Sequence, residues 1–537
     1  MLTLVVGARR QLSAAPAASA SELRQQQVLW RSHFVGSAKL ESDSQAARWT
    51  KLAAQPVSVQ LREQTVGKLA TAPFRALQGQ LAAGAKDHAE LLQPLLVDLF
   101  RGESFMEWRG TSNRTAQFAL ALKLSDDRAK AWNSNLATVL KAWTGLDPVP
   151  FNQNGVSGWQ LRQAHAPDLI GVARSGQWIV VGLGQGTLSL FNDYVKHFKA
   201  GAVPFATDAQ AWADVWVDGP QLQPRLPFPL PVEVPFTHVT LGAKDDSLRL
   251  KGTMALERDL GWNPEPWCVP TNLIREPLLS FTAARGVAPV LPQSDVFRAL
   301  NLQPVPNEVY AWALSGSPFF SFLAVRAADA TNQFKRLASE LTSSDNPLLQ
   351  RRLLGSIELA SHFSAVVWKG LPIAVPRVQP TSDGKNQFLF AGLFPNVPRA
   401  KAPPSELLSQ IQGRKQLAYY DWEVTEPRVN QWKTMLHLFQ IATRQPMTGT
   451  NPATTQWLAT AQKGAGNTVT EITVSGPREL SLTRKAPLGL TGFELVMLCH
   501  WLESADFPLS PHVAPVAPAS RPAVRQRTGS QNPPAPR

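Results

Sequence analysis

The sequence predicts an α+β fold built from tandem units of antiparallel sheet with packed helices. Apolar segments with a strand-type pattern recur along the chain, and groups of them alternate with segments of helical periodicity. The 537 residues are 44% hydrophobic and 17% charged, which supplies enough apolar material for cores and excludes a wholly disordered chain. A chain of this length rarely folds around one core, so several domain-sized units are expected.

The first unit is predicted to have the order ββαβββα. Ser125 and the two aspartates after it can cap a helix whose apolar residues recur at intervals of three or four, as on one helix face. That face carries Trp132, Leu136, Val139, Leu140 and Trp143. The predicted strands are 105–109, 117–124, 158–162, 169–173 and 178–183, and the second helix is 188–198.

Later segments repeat the opening of this unit. Strand patterns at 309–325 precede a predicted helix at 329–341, and a strand at 419–424 precedes a helix carrying Val429 to Phe439. A weaker copy covers 213–256. Four strand tryptophans, Trp108, Trp216, Trp312 and Trp422, lie 108, 96 and 110 residues apart. This spacing predicts an internal duplication of a unit of about one hundred residues, with Trp108 and Trp312 in equivalent places.

Proline-rich connectors indicate the boundaries of the units. Residues 221–235 contain five prolines and are predicted to form an extended strap, and 395–404 are predicted to form a linker. The predicted organisation is a signal or anchor remnant with a flexible exit at 1–28, α+β units at 29–203, 204–290, 291–400 and 401–504, and a disordered tail rich in proline and arginine at 505–537.

The N-terminus predicts export. The apolar run from Met1 to Ala8 is followed by Arg9, Arg10 and a stretch of Ala and Ser, but the leading positive segment of a signal peptide is missing. Either Met1 lies inside a longer signal or membrane anchor, or the segment is an ordinary cytoplasmic terminus. The first reading gives a cell-envelope location, periplasmic or membrane-anchored. No other uncharged apolar run reaches about 18 residues, so the body is not predicted to be membrane-embedded.

The net charge of the chain indicates which classes of partner it could bind. With 53 Lys and Arg against 40 Asp and Glu, the net charge is +13, and the surface should attract anions. The basic residues are scattered and form no run of five to eight, which disfavours nucleic acid. An anionic cell-wall polymer or a protein partner remains open.

Gly182, Gly184 and Gly186 come nearest to a cofactor-binding motif. A dinucleotide loop requires the spacing G-x-G-x-x-G, and here the third glycine is one residue early. The segment is therefore predicted to be a strand-to-helix turn, and no cofactor is predicted.

Metal and thiol chemistry is also not indicated. The histidines are isolated: His33, His88, His165, His197, His238, His362, His437, His500 and His512. Cys499 and His500 are adjacent on a predicted helix, about 100° apart, which is poor geometry for one ion. Whether Cys268 and Cys499 form a disulfide is left open by the sequence.

Two carboxylate pairs could serve a glycosidase. Asp421 and Glu423 share a strand face, and Glu103 and Glu107 form the second pair, but carboxylates on the open face of an antiparallel sheet are expected to be solvated. The chain has no G-x-S-x-G nucleophile motif. No catalytic residue is therefore predicted.

Tryptophan is unusually frequent, with 17 Trp against 4 Tyr. Trp49, Trp262, Trp267 and Trp457 lie in polar or proline-rich contexts, where an indole could stack on a sugar ring or anchor a partner. Packing in a core or under the strap is the favoured role.

Five segments resemble a large family of uncharacterised exported bacterial proteins. They are 34–40, 71–75, 124–132, 419–426 and 492–498, within a span from Leu29 to Ser504. The motifs mark strand ends and helix starts. The resemblance implies an exported or envelope location and implies no activity.

These observations predict a non-enzymatic exported or envelope protein with a binding or structural role. The alternative is a hydrolase of glycans or esters whose site is assembled only in three dimensions. A pocket that gathers titratable groups from different units would favour the alternative.

Overall fold

The protein has an α+β fold with twenty antiparallel strands in one sheet among the described residues. The structure is a computed structural model. It describes residues 20–110, 116–153, 155–162, 168–225, 234–293, 295–343, 354–360, 364–394, 404–443, 452–504 and 507–508.

The strands are β1 Val28–Phe34, β2 Ser104–Arg109, β3 Gln117–Lys123, β4 Val149–Gln153, β5 Val156–Arg162, β6 Asp168–Ser175, β7 Trp178–Gln185, β8 Ala213–Asp218, β9 Phe236–Lys244, β10 Ser247–Ala255, β11 Leu278–Arg285, β12 Glu308–Leu314, β13 Ser321–Ala327, β14 Ser356–Leu359, β15 Val366–Lys369, β16 Arg377–Asp383, β17 Asn386–Gly392, β18 Leu417–Val424, β19 Asn467–Gly476 and β20 Glu479–Ala486. The helices are α1 Ala20–Gln25, α2 Ser37–Leu40, α3 Ala47–Ala53, α4 Pro56–Leu77, α5 Ala89–Arg101, α6 Asp126–Thr144, α7 Ser189–Lys199, α8 Gly219–Leu222, α9 Asp295–Leu300, α10 Ala330–Thr342, α11 Ser405–Ser409, α12 Thr425–Ala442, α13 Pro452–Gln462 and α14 Gly492–Glu503.

The strand order divides the sheet into two arrays. From one edge it runs β4, β5, β6, β7, β3, β2, β1, β8, β9, β10. From the other edge it runs β14, β15, β16, β17, β13, β12, β11, β18, β19, β20. The arrays join where β10 pairs with β20. Each array therefore places its strands in the same order from edge to centre.

Helices cover both faces of the sheet. Strand alternation puts Leu122 and Val172 on one face, where Trp132 of α6 packs on them, and we call this the α6 face. The opposite face, called the α7 face, carries Phe105 and Val180 beneath α7. On the second array, α10 packs on the α6 face, and Leu408 of α11 packs on the α7 face.

Trp108 and Trp312 occupy corresponding strands but opposite faces. Trp108 on β2 pairs with Phe118, on the same face as α6. Trp312 on β12 pairs with Phe322 and packs against Leu408, on the face opposite α10. The expected equivalence of these two tryptophans is therefore wrong, because a shift of one residue along a strand reverses the face.

The predicted helices with strong local signals are confirmed. Helix α6 begins after Ser125, α10 begins after Asp329, whose side chain accepts a hydrogen bond from the Asn332 N–H, and α12 follows β18. Phe439 of α12 is 54% exposed and lies off the packed face. Strand β4 was not predicted, because it is an edge strand that contains Pro150.

The connectors are only partly described. The predicted strap begins with helical turns, α8 and a 3₁₀ turn at Gln223–Arg225, rather than extended chain, and residues 226–233 lie outside the described residues. The predicted linker at 395–404 lies outside the described residues except for Pro404, and the exit segment before residue 20 and the tail after Pro508 lie outside as well. Strands pair across the predicted boundary at 204, since β1 pairs with β8. None of the described helices combines the length and apolarity needed to cross a membrane.

Candidate functional site

Glu423 is buried in the fold and Asp421 is partly buried, which overturns the expectation that both are solvated. Both lie on the α6 face of β18, beneath α12 and α14. Glu423 is 4% exposed, and its Oε1 accepts a hydrogen bond of 2.6 Å from the N–H of Gly492. The hydroxyl of Thr282 donates to Asp421 Oδ1 at 2.6 Å. Alternation in the sequence places both carboxylates on one face but does not show that helices cover it.

A buried arginine accompanies this carboxylate pair. Burial raises the pKa of Asp421 and of Glu423 and lowers the pKa of Arg428 on α12. Arg428 is 6% exposed and donates from Nη1 to Gln431 Oε1 at 2.5 Å. Buried Glu423 and Arg428 and the partly buried Asp421 lie beneath two helices, and we call them the buried charge cluster.

Charged groups from separate chain segments meet instead in a second place, which we call the polar pocket. It has a volume of about 600 Å³ and lies where β11 ends, β12 begins and β13 ends. Its charged side chains are Glu265, Arg285, Glu308, Arg326 and Lys385. They come from the segment before β11, from three adjacent strands and from the β16–β17 turn.

Arg285 fixes one wall of the polar pocket. It lies directly opposite Glu308 in the β11–β12 register, but its guanidinium donates to the backbone carbonyls of Leu417 at 2.8 Å, Glu265 at 2.9 Å, Arg414 at 2.8 Å and Lys415 at 2.6 Å. It also stacks on Trp267, 4.3 Å from the ring centroid. These hydrogen bonds hold the segment before β11 and the segment that leads into β18 in place.

Glu308 is the buried acid of the polar pocket, with 4% exposure. The Tyr310 hydroxyl donates to its carboxylate at 2.9 Å, and Arg326 Nη1 lies 3.8 Å away. Burial raises the pKa of Glu308 and of Tyr310. Arg326 Nη2 also contacts Glu265 at 2.9 Å, so that one arginine joins both carboxylates of the pocket.

Cys268 and Cys499 are free thiols, so they do not form a disulfide. Cys268 is partly buried near the polar pocket, and burial raises its pKa. Cys499 is 7% exposed, and burial raises its pKa to about 12. Neither environment favours the reactive thiolate.

A smaller cavity, called the basic pocket, lies on the α7 face of the first array. It has a volume of about 400 Å³ and is lined by Arg31, Arg109, His197, Phe205 and Trp216, among others. Beneath it Glu107 is fully buried and lies directly opposite Arg31 in the β1–β2 register. Arg31 Nε donates to Glu107 Oε2 at 3.2 Å, and Arg109 Nε donates to Oε1.

Glu103 and Glu107 do not act as a pair. Glu103 lies 3.2 Å from His33 Nε2, and the hydrogen bond from His33 lowers the pKa of Glu103. Glu107 faces the two arginines instead. The expectation that these carboxylates are solvated is wrong for Glu107.

The glycine-rich segment has a packing role. Gly182 and Gly184 lie within β7, and only Gly186, at φ 73°, lies in the turn before α7. A Cβ on Gly182 would lie 2.5 Å from Phe191 Cβ. Glycine therefore lets α7 approach the sheet closely.

Three of the four candidate tryptophans serve packing. Trp267 is 9% exposed, and Trp49 packs edge-on against Trp212 with centroids 5.4 Å apart. Trp457 of α13 packs against the apolar cluster that contains Leu458 and Leu495. Trp262 is partly exposed and donates to the Lys415 carbonyl at 3.1 Å. Among the described residues no group of three or more His, Cys, Asp and Glu side chains could hold a metal ion.

The arginines of both pockets were not identified from the sequence. Arg31 and Glu107 are 76 residues apart, and only the strand register brings them together. A buried acid opposite an arginine on the neighbouring strand occurs at Arg285 and Glu308 as well. No local pattern in the sequence reports such a pairing.

In the described residues, the chain forms an α+β fold with a large antiparallel sheet, and the polar pocket and the basic pocket both carry charged side chains. Comparison of the chain with protein-family models, with curated proteins and with solved structures finds no match in any of the three.

Proposed function

We propose that this protein binds a hydroxyl-rich ligand, such as a glycan of the cell envelope, in the polar pocket without chemically changing it. The observation that carries the proposal is the amide lining of the pocket, by Asn263, Asn307, Gln333, Asn386 and Gln387. Amide groups both donate and accept hydrogen bonds, as sugar hydroxyls do. The volume of about 600 Å³ is within the range of small-molecule sites.

The charges of the polar pocket support binding rather than proton transfer. Arg285 is committed to backbone carbonyls, and Arg326 joins Glu265 to Glu308. Groups held in such pairs keep a fixed geometry, which favours recognition. The net charge of +13 would in addition draw the protein towards an anionic envelope polymer.

An exported or cell-envelope location is part of the same proposal. Its support is the apolar segment with Arg9 and Arg10 at the N-terminus, together with the resemblance to exported bacterial proteins. Fractionation of the native host, with the protein detected by antibody, tests the location. Recovery only in the cytosolic fraction would contradict it.

Binding is tested by calorimetry with chitotetraose, an uncharged oligomer of N-acetylglucosamine. The occluding variant is Ala328→Trp, because Ala328 is exposed and lines the pocket, so that the new ring fills space without removing a hydrogen bond. Ala83→Trp, on an exposed loop outside this pocket, is the matched control. The expected result is saturable binding by the wild type and the control, lost in Ala328→Trp. Because chitotetraose is uncharged, its affinity should be the same at about 0.15 M and at 1 M salt.

One observation favours a second candidate, a glycan hydrolase. Glu308 has a raised pKa and shares the polar pocket with Glu265, as a general acid and a second carboxylate would in a glycosidase. Incubation with chitotetraose followed by mass spectrometry decides between the two. Shortened products that disappear in Glu308→Gln would establish the hydrolase, and an intact oligomer supports binding alone.

We also propose that the chain arose by duplication of one ten-strand array rather than of four units. The support is the matching strand order of the two arrays, with Trp216 and Trp422 each on the eighth strand of its array by chain order. The test is superposition of the two arrays in an experimentally determined structure. Failure of β1–β10 to superpose on β11–β20 would reject the duplication.

A further inference from the structure

The basic pocket contains more positive charge than its own carboxylate neutralises. Arg31 and Arg109 both contact the fully buried Glu107. Among the described residues, those that line the cavity include no Asp or Glu. Two guanidinium groups therefore share one carboxylate, and about one unit of positive charge faces the cavity.

These arginines also keep unused hydrogen-bond donors. Arg31 donates from Nε to Glu107, and from Nη2 to Gln26 Oε1 at 3.1 Å and to Glu107 at 3.4 Å. Arg109 donates from Nε to Glu107. Within the described part of the chain, Arg31 Nη1 and both Nη atoms of Arg109 meet no acceptor. An anion in the cavity would satisfy them.

The remaining walls are aromatic. The Phe205 ring lies under the Arg31 guanidinium, 4.8 Å from its centroid. Trp216 stacks on His238 with centroids 3.6 Å apart. His238 Nε2 in turn lies 2.9 Å from Asp214 Oδ1, so this acid is already engaged. The rings offer an apolar surface beside the cationic end.

We propose that the basic pocket binds a small organic carboxylate, with its anionic group between Arg31 and Arg109 and its carbon body against Phe205 and Trp216. A planar carboxylate matches the fork of a guanidinium, and its single charge equals the local excess. The volume of about 400 Å³ suits a small molecule. This site is separate from the polar pocket and does not depend on the function proposed for it.

The test uses 4-fluorobenzoate as the probe and the full chain, with ¹⁹F NMR and calorimetry. We expect saturable binding by the wild type and at least about tenfold weaker binding by Arg109→Gln, since charge-assisted hydrogen bonds are lost. Arg174→Gln is the matched control, because Arg174 is 32% exposed and pairs with Asp126, whereas Arg109 is 31% exposed and pairs with Glu107. Equal binding by Arg109→Gln and the wild type, or no saturable binding by the wild type up to about 10 mM, would overturn the proposal.

A second variant separates electrostatics from a structural role. Glu107→Gln removes the compensating charge, so a folded variant should bind 4-fluorobenzoate more tightly than the wild type. Circular dichroism and thermal melting establish that the variant is folded. Weaker binding by the folded variant would contradict the charge argument. Competition with inorganic phosphate tests the need for a carbon body. If equimolar phosphate displaced 4-fluorobenzoate, the proposal that the pocket selects an organic carboxylate would be rejected.

Discussion

Glu423 Oε1 lies 2.6 Å from the backbone nitrogen of Gly492, so a strand carboxylate accepts an N–H at the first turn of α14. Carboxylates are stabilised there because helix N-termini carry partial positive charge and unpaired donors. Helices α14 and α12 also approach each other closely at Gly492, since a Cβ on this residue would lie 2.9 Å from the backbone nitrogen of Val429 on α12. The sheet, α12 and α14 are thus joined at one point.

Gly492→Ala should lower the free energy of unfolding by about 1–3 kcal/mol, because its methyl group would press on the backbone of α12. The matched control is Gly67→Ala in α4, where a Cβ would lie 3.8 Å from Gln93 Nε2 and meet no clash. That variant should gain about 1 kcal/mol from helix propensity. Urea unfolding measures both. A Gly492→Ala variant as stable as the wild type would show that the contact is looser than described.

The charge cluster beneath α12 makes stability depend on pH. Asp421 and Glu423 have folded-state pKa values raised above their ordinary values of 3.8 and 4.5. The folded state therefore holds protons that the unfolded chain releases, and the stability from these groups is full below about pH 4 and is lost as pH rises through the folded pKa values. Asp421→Asn should reduce this loss and raise stability near pH 7 by about 1–3 kcal/mol.

The expected gain in stability of Asp421→Asn follows from the balance of charge in the buried charge cluster. In Asp421→Asn, Glu423 still faces Arg428, and the amide oxygen can accept the hydrogen bond from Thr282. The measurement is urea unfolding between pH 4 and pH 8. Asp127→Asn is the control, since the Asp127 side chain is 94% exposed and its removal should leave the profile unchanged. A steeper pH dependence in Asp421→Asn would refute the assignment.

Asp98 should be among the most sensitive carboxylates of the first array. It accepts hydrogen bonds from Arg128 Nη2 at 2.7 Å and from Trp132 Nε1 at 2.9 Å. Asp98→Ala would leave the buried indole N–H without its acceptor, so we expect a loss of about 3 kcal/mol in unfolding free energy. Asp259→Ala removes an aspartate that also pairs with an arginine, Arg478, but on the surface, and should cost less than about 1 kcal/mol. Similar losses in both variants would contradict the role given to burial.

The sequence predicts what depends on neighbours along the chain. Helix α10 is predictable because its cap, Asp329, and its apolar spacing are local. The position of Glu107 on a strand is predictable for the same reason, because the strand pattern at 105–109 is local. Its partner Arg31 is 76 residues away, and the cover over Glu423 comes from a helix that begins 69 residues later. Register and face are set by packing of the whole sheet, so neither the buried charge cluster nor the two pockets can be read from local patterns.

The two cysteines allow a direct check of the packing around them. Cys268 is partly buried, and Cys499 lies inside the cluster formed by α12, α13 and α14. Because the pKa of Cys499 is raised to about 12, very little thiolate is present at pH 8, and reagent must in addition reach a side chain that is 7% exposed.

We therefore expect the unfolded chain, prepared without reductant, to react with two equivalents of a thiol reagent. In the native protein Cys268 should react at least about tenfold faster than Cys499, and more slowly than a free cysteine because burial raises its pKa as well. Cys268→Ser should remove the fast phase, and Cys499→Ser should leave it intact. Fewer than two reactive thiols in the unfolded chain would reveal a disulfide and contradict the assignment of both residues as free thiols. A fast Cys499 would show instead that α14 opens from α12, and it should become faster still in Gly492→Ala, which weakens the same contact.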